Sequence, residues 1–411
     1  MNRLLSTLLA LTAAISSAAA GFNAHFADST LRIDYILGGT AAQPAVMFDR
    51  ASVTPQWAGR RGHLDELHLR GNGRLTMTDA ATGDTLYRTS FSTLFQEWLG
   101  IDEAKSLARA FRHTVLAPLP LHDADLTLEL SDARQRTIAQ HRWRYSPADV
   151  LVSRPEASPL PHRLLHGGAD PADAIDVAIL AEGYTAAEMD SFYVHARRAV
   201  DEILSYEPFH TYADRFNFVA VASPSADSGV SVPRLGDWRD TAVGSHFSTF
   251  YSDRYLTSPE VGRMHDLLRG IPYEHIIILA NTDEYGGGGI YNDYLLTTAR
   301  HPLFRPVVVH EFGHSFAGLA DEYFYEGDVM EDTYPTSVEP WEPNITTKID
   351  FPSKWADMLS EPGVGLFEGG GYSFKGVWRP ADECRMRNNS YPTFCPVCRR
   401  AIARTIEFHT R

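Results

Sequence analysis

The chain has 411 residues, 44% of them hydrophobic and 22% charged, with no heptad run, low-complexity tract or internal repeat. This excludes a fibrous or disordered polypeptide and calls for more than one core. A formal charge of −15 weighs against nucleic acid as the main partner, because a polyanion is held by clustered Lys and Arg.

The first element is residues 1–20. Arg3 supplies a positive n-region, Leu4 to Ala14 an apolar run, and Ala18-Ala19-Ala20 a small-residue cleavage site, the pattern of a signal peptide cut before Gly21. The apolar run is too short to span a bilayer comfortably, no later stretch is apolar enough to do so, and no Cys follows the cleavage site to carry a lipid. The expectation is an exported protein, periplasmic or extracellular, with no membrane span.

Residues 21–150 carry short alternating runs separated by turn signals: Leu31 to Leu37, Arg74 to Thr78, Leu86 to Thr89 beyond Thr82-Gly83-Asp84, and Leu126 to Leu130. Period two with frequent turns predicts an antiparallel, all-β sandwich domain. Pro155, Pro159 and Pro161 mark a linker over residues 151–163.

From residue 164 to 411 the pattern changes. Ile175 to Ala181 is continuously apolar, as in a strand buried on both faces. Thr185-x-x-Glu188 is a capping box, followed by an apolar stripe from Met189 to Leu204 at helical spacing. Phe216 to Ala222 and His275 to Ala280 predict further strands, with a helix between them opened by Ser258-Pro259 and ending near Gly270. The alternation predicts an α/β domain with a mixed, mostly parallel sheet and crossover helices. Gly286 to Gly289 leads into Ile290 to Leu296, readable as an edge strand that could take a peptide as an added strand, or as an ordinary hairpin.

The chemistry is concentrated in Val307-Val308-Val309-His310-Glu311-Phe312-Gly313-His314. On a helix, residues four apart share a face, so His310 and His314 can offer imidazole nitrogens to one zinc ion. Glu311 can then reach water on the metal and act as general base. Histidines spent on packing are a poor alternative in so apolar a helix. A catalytic zinc needs a third protein ligand and one open position. The helix can end at Gly318 and turn so that a residue a few positions later meets the metal; Asp321 is the first candidate, Glu322 the second, and a carboxylate from a distant helix the third.

Cys384, Cys395 and Cys398 lie close together near the C-terminus. In an exported chain this suggests one disulfide with the third thiol left over; zinc on the Cys395-x-x-Cys398 pair is the weaker reading, with only Cys384 nearby as a further thiol.

The run His310-Glu311-x-x-His314-x-x-x-Gly318-x-x-Asp321-Glu322-Tyr323 resembles the IgA-peptidase family of bacterial zinc metallopeptidases. The likeness extends to Asp176–Thr185, Ser225–Pro233 and Cys384-Arg385-Met386-Arg387. It implies a metzincin-like catalytic domain behind a β-rich N-terminal domain, with Met386 as the methionine of the turn beneath the metal. The chain departs from usual metzincin spacing by one extra residue between His314 and the glycine, and Asp321 stands where most metzincins have His. Tyr391 lies near Met386 at an unfamiliar spacing and is left out of the catalytic set.

The expectation is a zinc-dependent metalloendopeptidase acting on a protein or peptide substrate, with Zn2+ on His310, His314 and Asp321 and Glu311 as catalytic base. One rival is a zinc amidase or deacetylase acting on cell-wall or carbohydrate amides. Another is a surface-binding protein with a vestigial zinc site, which would have no use for Glu311.

Overall fold

The computed structural model describes residues 21–410; the signal-peptide expectation for residues 1–20 lies outside them. Alternation of apolar and polar side chains shapes the first part of the chain. Strands β1 (Phe26–Thr40), β2 (Gln43–Pro55), β3 (Gly73–Asp79), β4 (Thr85–Phe91), β5 (Arg109–Pro120), β6 (Ala124–Ser131) and β7 (Thr137–Tyr145) form two antiparallel sheets, ordered β2-β1-β5 and β4-β3-β6-β7. Along β6 every second residue is buried, and Leu126, Leu128 and Leu130 meet Leu31, Ile33 and Tyr35 of the other sheet in one core. The β3–β4 hairpin closes at Gly83, with φ of +80°. A short helix, α1 (Leu94–Leu99), interrupts the strands. Thr93 caps it by accepting from the Gln96 amide, and Leu94, Phe95 and Trp98 are buried.

The connection to the second domain is shorter than expected. Val152 packs in the sandwich core and Ser153 bridges Ser52, while β8 (His162–His166) begins inside the stretch read as linker. Next come β9 (Ile175–Glu182), β10 (Phe216–Val221), β11 (His275–Ala280), β12 (Gly287–Gly289) and β13 (Tyr294–Thr298), in the order β12-β13-β11-β9-β10-β8. The four inner strands are parallel and both edge strands antiparallel.

This mixed sheet is covered on both faces, as its apolar runs require. On one side Ile175, Val177 and Ile179 of β9 pack on α2 (Met189–Leu204) and α4 (Phe304–Ala317). On the other, Ala178 and Leu180 face α3 (Val261–Leu267). Both halves of the Thr185–Glu188 capping box form ahead of α2. The hairpin β14 (Phe367–Gly370) and β15 (Ser373–Arg379) and the helix α5 (Pro396–His409) complete the domain.

The edge-strand expectation needs correcting. The edge is the glycine run Gly287–Gly289 itself, while Tyr294–Thr298 lies one strand inward. Tyr255 bridges Gly287 on its outer side, so that edge is partly covered. Among the described residues no helix is long and apolar enough to cross a membrane.

The sandwich is fastened to the mixed-sheet domain at several points. Arg32 reaches Asp266 at 2.6 Å and donates to the Gly262 carbonyl at 2.8 Å. Asn292 donates to the Ser90 carbonyl at 2.8 Å, and the Trp341 indole donates to Asn72 at 2.9 Å.

Candidate active site

Helix α4 buries Val307, Val308, Val309, Phe312 and Phe316, which fixes its rotation and aims the remaining face, with His310, Glu311 and His314, toward one point. Pro306 lies in the first turn, where its missing N–H costs nothing. Gly318 ends the helix in the left-handed conformation, φ +58° and ψ +31°. The chain then reverses so that Asp321 returns to the histidines.

Three atoms converge there. His310 Nε2 is 3.0 Å from His314 Nε2 and 3.0 Å from Asp321 Oδ1, and His314 Nε2 is 3.3 Å from the same oxygen. Ligands about 2.0–2.1 Å from a tetrahedral ion stand roughly 3.3 Å apart, so the three residues fit one metal ion. The outer nitrogens favour the same reading. His310 Nδ1 lies 3.0 Å from the Arg385 carbonyl and His314 Nδ1 2.5 Å from the Leu319 carbonyl. An Nδ1–H donated to each carbonyl leaves the Nε2 lone pairs pointing inward. Tyr372 donates to Asp321 Oδ2 at 2.5 Å and fixes the carboxylate from behind.

Burial works against charge in this pocket, yet the imidazoles of His314 and His310 hold the Asp321 carboxyl well below the usual carboxylate range. Burial also opposes a charged His314, but Asp321 beside it prevails and raises it to about 9. A buried carboxylate so placed demands a compensating positive charge, which a protonated His314 or a divalent cation supplies.

Glu311 does not touch the three converging atoms. Its carboxyl lies against the edge strand, where a Cβ on Gly287 would come within 3.1 Å of Oε1. The Gly289 amide donates to it. Burial raises its pKa, His310 and His314 oppose that, and Asp321 adds to it. Strand β12 must be glycine here: a Cβ on Gly289 would meet the Glu311 carbonyl at 2.3 Å and His314 Cβ at 2.9 Å. Beneath the helix, Met386 sulfur sits so close that a Cβ on Gly313 would lie 2.9 Å from it.

A family model described as IgA Peptidase M64 matches residues 164–363 and 360–406, and a second, described as Peptidase M64 N-terminus, matches residues 21–142. The chain belongs to the IgA peptidase M64 family. It is therefore a metallopeptidase, a hydrolase acting on protein substrates. No curated protein matches it.

Within this M64 peptidase the expected residues His310, His314 and Asp321 are brought together. Glu322, the second candidate for third ligand, turns away and accepts hydrogen bonds from Asn344 at 3.0 Å and Cys398 at 3.1 Å. Tyr372 was not anticipated: it follows Asp321 by 51 residues and reaches it only through the β14–β15 hairpin. The disulfide reading is corrected. All three cysteines are buried free thiols, with the sulfurs of Cys384 and Cys398 3.8 Å apart.

Proposed function

We propose that this M64 peptidase is an exported, zinc-dependent endopeptidase in which His310, His314 and Asp321 hold the metal and Glu311 is the general base. The observation that carries the reading is the convergence of two imidazole Nε2 atoms and one Asp321 oxygen within 3.3 Å of one another, beside a carboxylate bound to none of them.

Two imidazoles and a carboxylate suit zinc. When bound, it supplies a Lewis acid that polarises a peptide carbonyl and acidifies water. Glu311 takes the proton from the attacking water and passes it to the departing amine. The Gly289 amide holds the Glu311 carboxylate in place between transfers. Tyr372 keeps Asp321 oriented.

The glycine turn at Gly318, the ligand three residues beyond it and the sulfur of Met386 under Gly313 support a metzincin-like arrangement, with Met386 as the methionine of the turn.

The test is to incubate the zinc-loaded chain and its Glu311→Ala variant with a mixed peptide library and read new termini by mass spectrometry. Internal cleavage by the wild type alone, stopped by a chelator, is the expected result. Cleavage at equal rates by both proteins overturns the assignment of the base. Turnover of acetylated glycans or cell-wall amides without peptide cleavage would move the reading to the amidase class.

A further inference from the structure

A second set of ligand atoms lies behind the loop that carries Asp321. Where Asp321 turns to the histidines, Glu322 turns the other way. It meets Cys384, Cys395 and Cys398, one ligand atom from each of the four residues lying within 4.8 Å of the others. All four side chains are buried.

The spacing is that of a metal site and not of a disulfide. Sulfurs about 2.3 Å from a common tetrahedral zinc stand roughly 3.8 Å apart, and Cys384 and Cys398 are separated by 3.8 Å. A disulfide would bring them to about 2.05 Å.

A separate observation points to a missing positive partner. Glu322 Oε1 accepts from Asn344 and Cys398, but Oε2 has no hydrogen-bond partner although the residue is fully buried. A buried carboxylate oxygen left unsatisfied is costly, and a metal–oxygen bond removes the cost.

The backbone is arranged for thiolates. Cys395 is the N-cap of α5 and its sulfur accepts from the Cys398 amide at 3.5 Å, while the Cys395 amide donates to Cys384 sulfur at 3.3 Å. Amides and a helix N-terminus directed at sulfur favour the ionised form.

We propose that Glu322, Cys384, Cys395 and Cys398 bind a second metal ion, zinc by its donor set, in a closed structural site separate from the catalytic one. Four protein ligands leave no position open for water or substrate. Binding exchanges the thiol protons for the ion, three protons leaving to solvent, with no change of oxidation state. The ion ties the loop of Asp321 and Glu322 to the segment beneath α4. That segment is already engaged there: the Glu322 amide donates to the Met386 carbonyl at 2.9 Å, and His310 meets the Arg385 carbonyl at 3.0 Å. The second site thus holds the floor on which the first is built.

The experiment uses the full chain purified without reductant, loaded with zinc or cobalt(II) and freed of excess. The wild type should hold two zinc ions per chain, and His314→Ala and Cys395→Ser one each. Cobalt-loaded His314→Ala should keep a sulfur-to-cobalt charge-transfer band that Cys395→Ser lacks, which separates this site from the catalytic one. Because Cys395→Ser could fail to fold, thiols are also counted in the wild type after unfolding in chelator without reductant. Three reactive thiols together with two zinc ions support the proposal. A single reactive thiol, or one zinc ion lost entirely in His314→Ala, overturns it.

Discussion

Replacing Glu311 with Gln keeps the shape of the side chain and removes only its capacity to accept a proton. The variant should hold zinc as the wild type does, because Glu311 touches none of the three converging atoms, while kcat/KM falls by at least about a hundred-fold. Steady-state kinetics beside metal analysis on the same samples checks both halves. Tyr372 acts one step further out. Its hydroxyl donates to Asp321 Oδ2, so Tyr372→Phe should weaken zinc binding by about ten- to a hundred-fold in a chelator competition. Asp321→Ala, which removes one of the proposed ligands outright, should lose far more. Equal zinc affinity in Tyr372→Phe and wild type would mean that the hydroxyl only fills space. Asp321 and Glu322 show how finely the fold divides labour: neighbours of the same charge class, they serve opposite sides of one loop, and although the turn at Gly318 ranks Asp321 first, only the closed fold shows where Glu322 goes.

At the scale of the element, the end of α4 decides where Asp321 goes. Gly318 adopts φ of +58°, and a Cβ there would lie 2.6 Å from the Trp341 ring and 2.8 Å from Leu69. Gly318→Ala should therefore cost about 1–2 kcal/mol from the backbone alone, and more from the clash, read as a lower midpoint in thermal or denaturant unfolding together with weaker zinc binding. What was legible in the sequence divides along physical lines. Helix α4 and strands β9 and β11 could be read because spacing and unbroken apolar runs are local properties. Helix α1 could not, since six residues hold too little periodicity and its cap, Thr93, is an ordinary residue until Gln96 meets it. Strand β12 has three glycines and no side chains to alternate, so only its pairing with β13 makes it a strand. The pair Cys395 and Cys398 was visible as a motif, but the carboxylate that joins it comes from Glu322, 76 residues away from Cys398. Such a site exists only once the fold has closed.

Across the whole molecule, three imidazoles cluster where the sandwich meets the mixed-sheet domain, His275 buried and His68 and His409 half-buried. His275 on β11 packs on Phe316 with ring centroids 5.0 Å apart and on His409 at 5.8 Å, and its Nε2 has no partner. His68, from the sandwich domain, meets Thr405 of α5 at 2.9 Å. Burial lowers all three to about 3, helped at His409 by Arg60 and at His68 by His409 and the arginines nearby. Each therefore stays neutral in the folded protein while its unfolded counterpart takes a proton near pH 6.5. Between those values the unfolded chain binds more protons, so stability is complete above about pH 6.5 and is lost as the pH falls through the window toward 3. Glu274, 3.2 Å from His409, works the other way: burial raises it to about 8, so from about pH 4.5 to 8 the folded state carries the extra proton. Within this cluster, three imidazoles less one carboxyl contribute a net uptake of about two protons on unfolding between pH 4.5 and 6.5. His275→Phe keeps a ring against Phe316 and removes one titrating group. Urea unfolding at a series of pH values should show the slope of stability against pH, below 6.5, reduced in this variant by about 1.4 kcal/mol per pH unit. A slope unchanged from wild type would mean that His275 takes up its proton without unfolding, and that the junction between the two domains opens to water before the cores do.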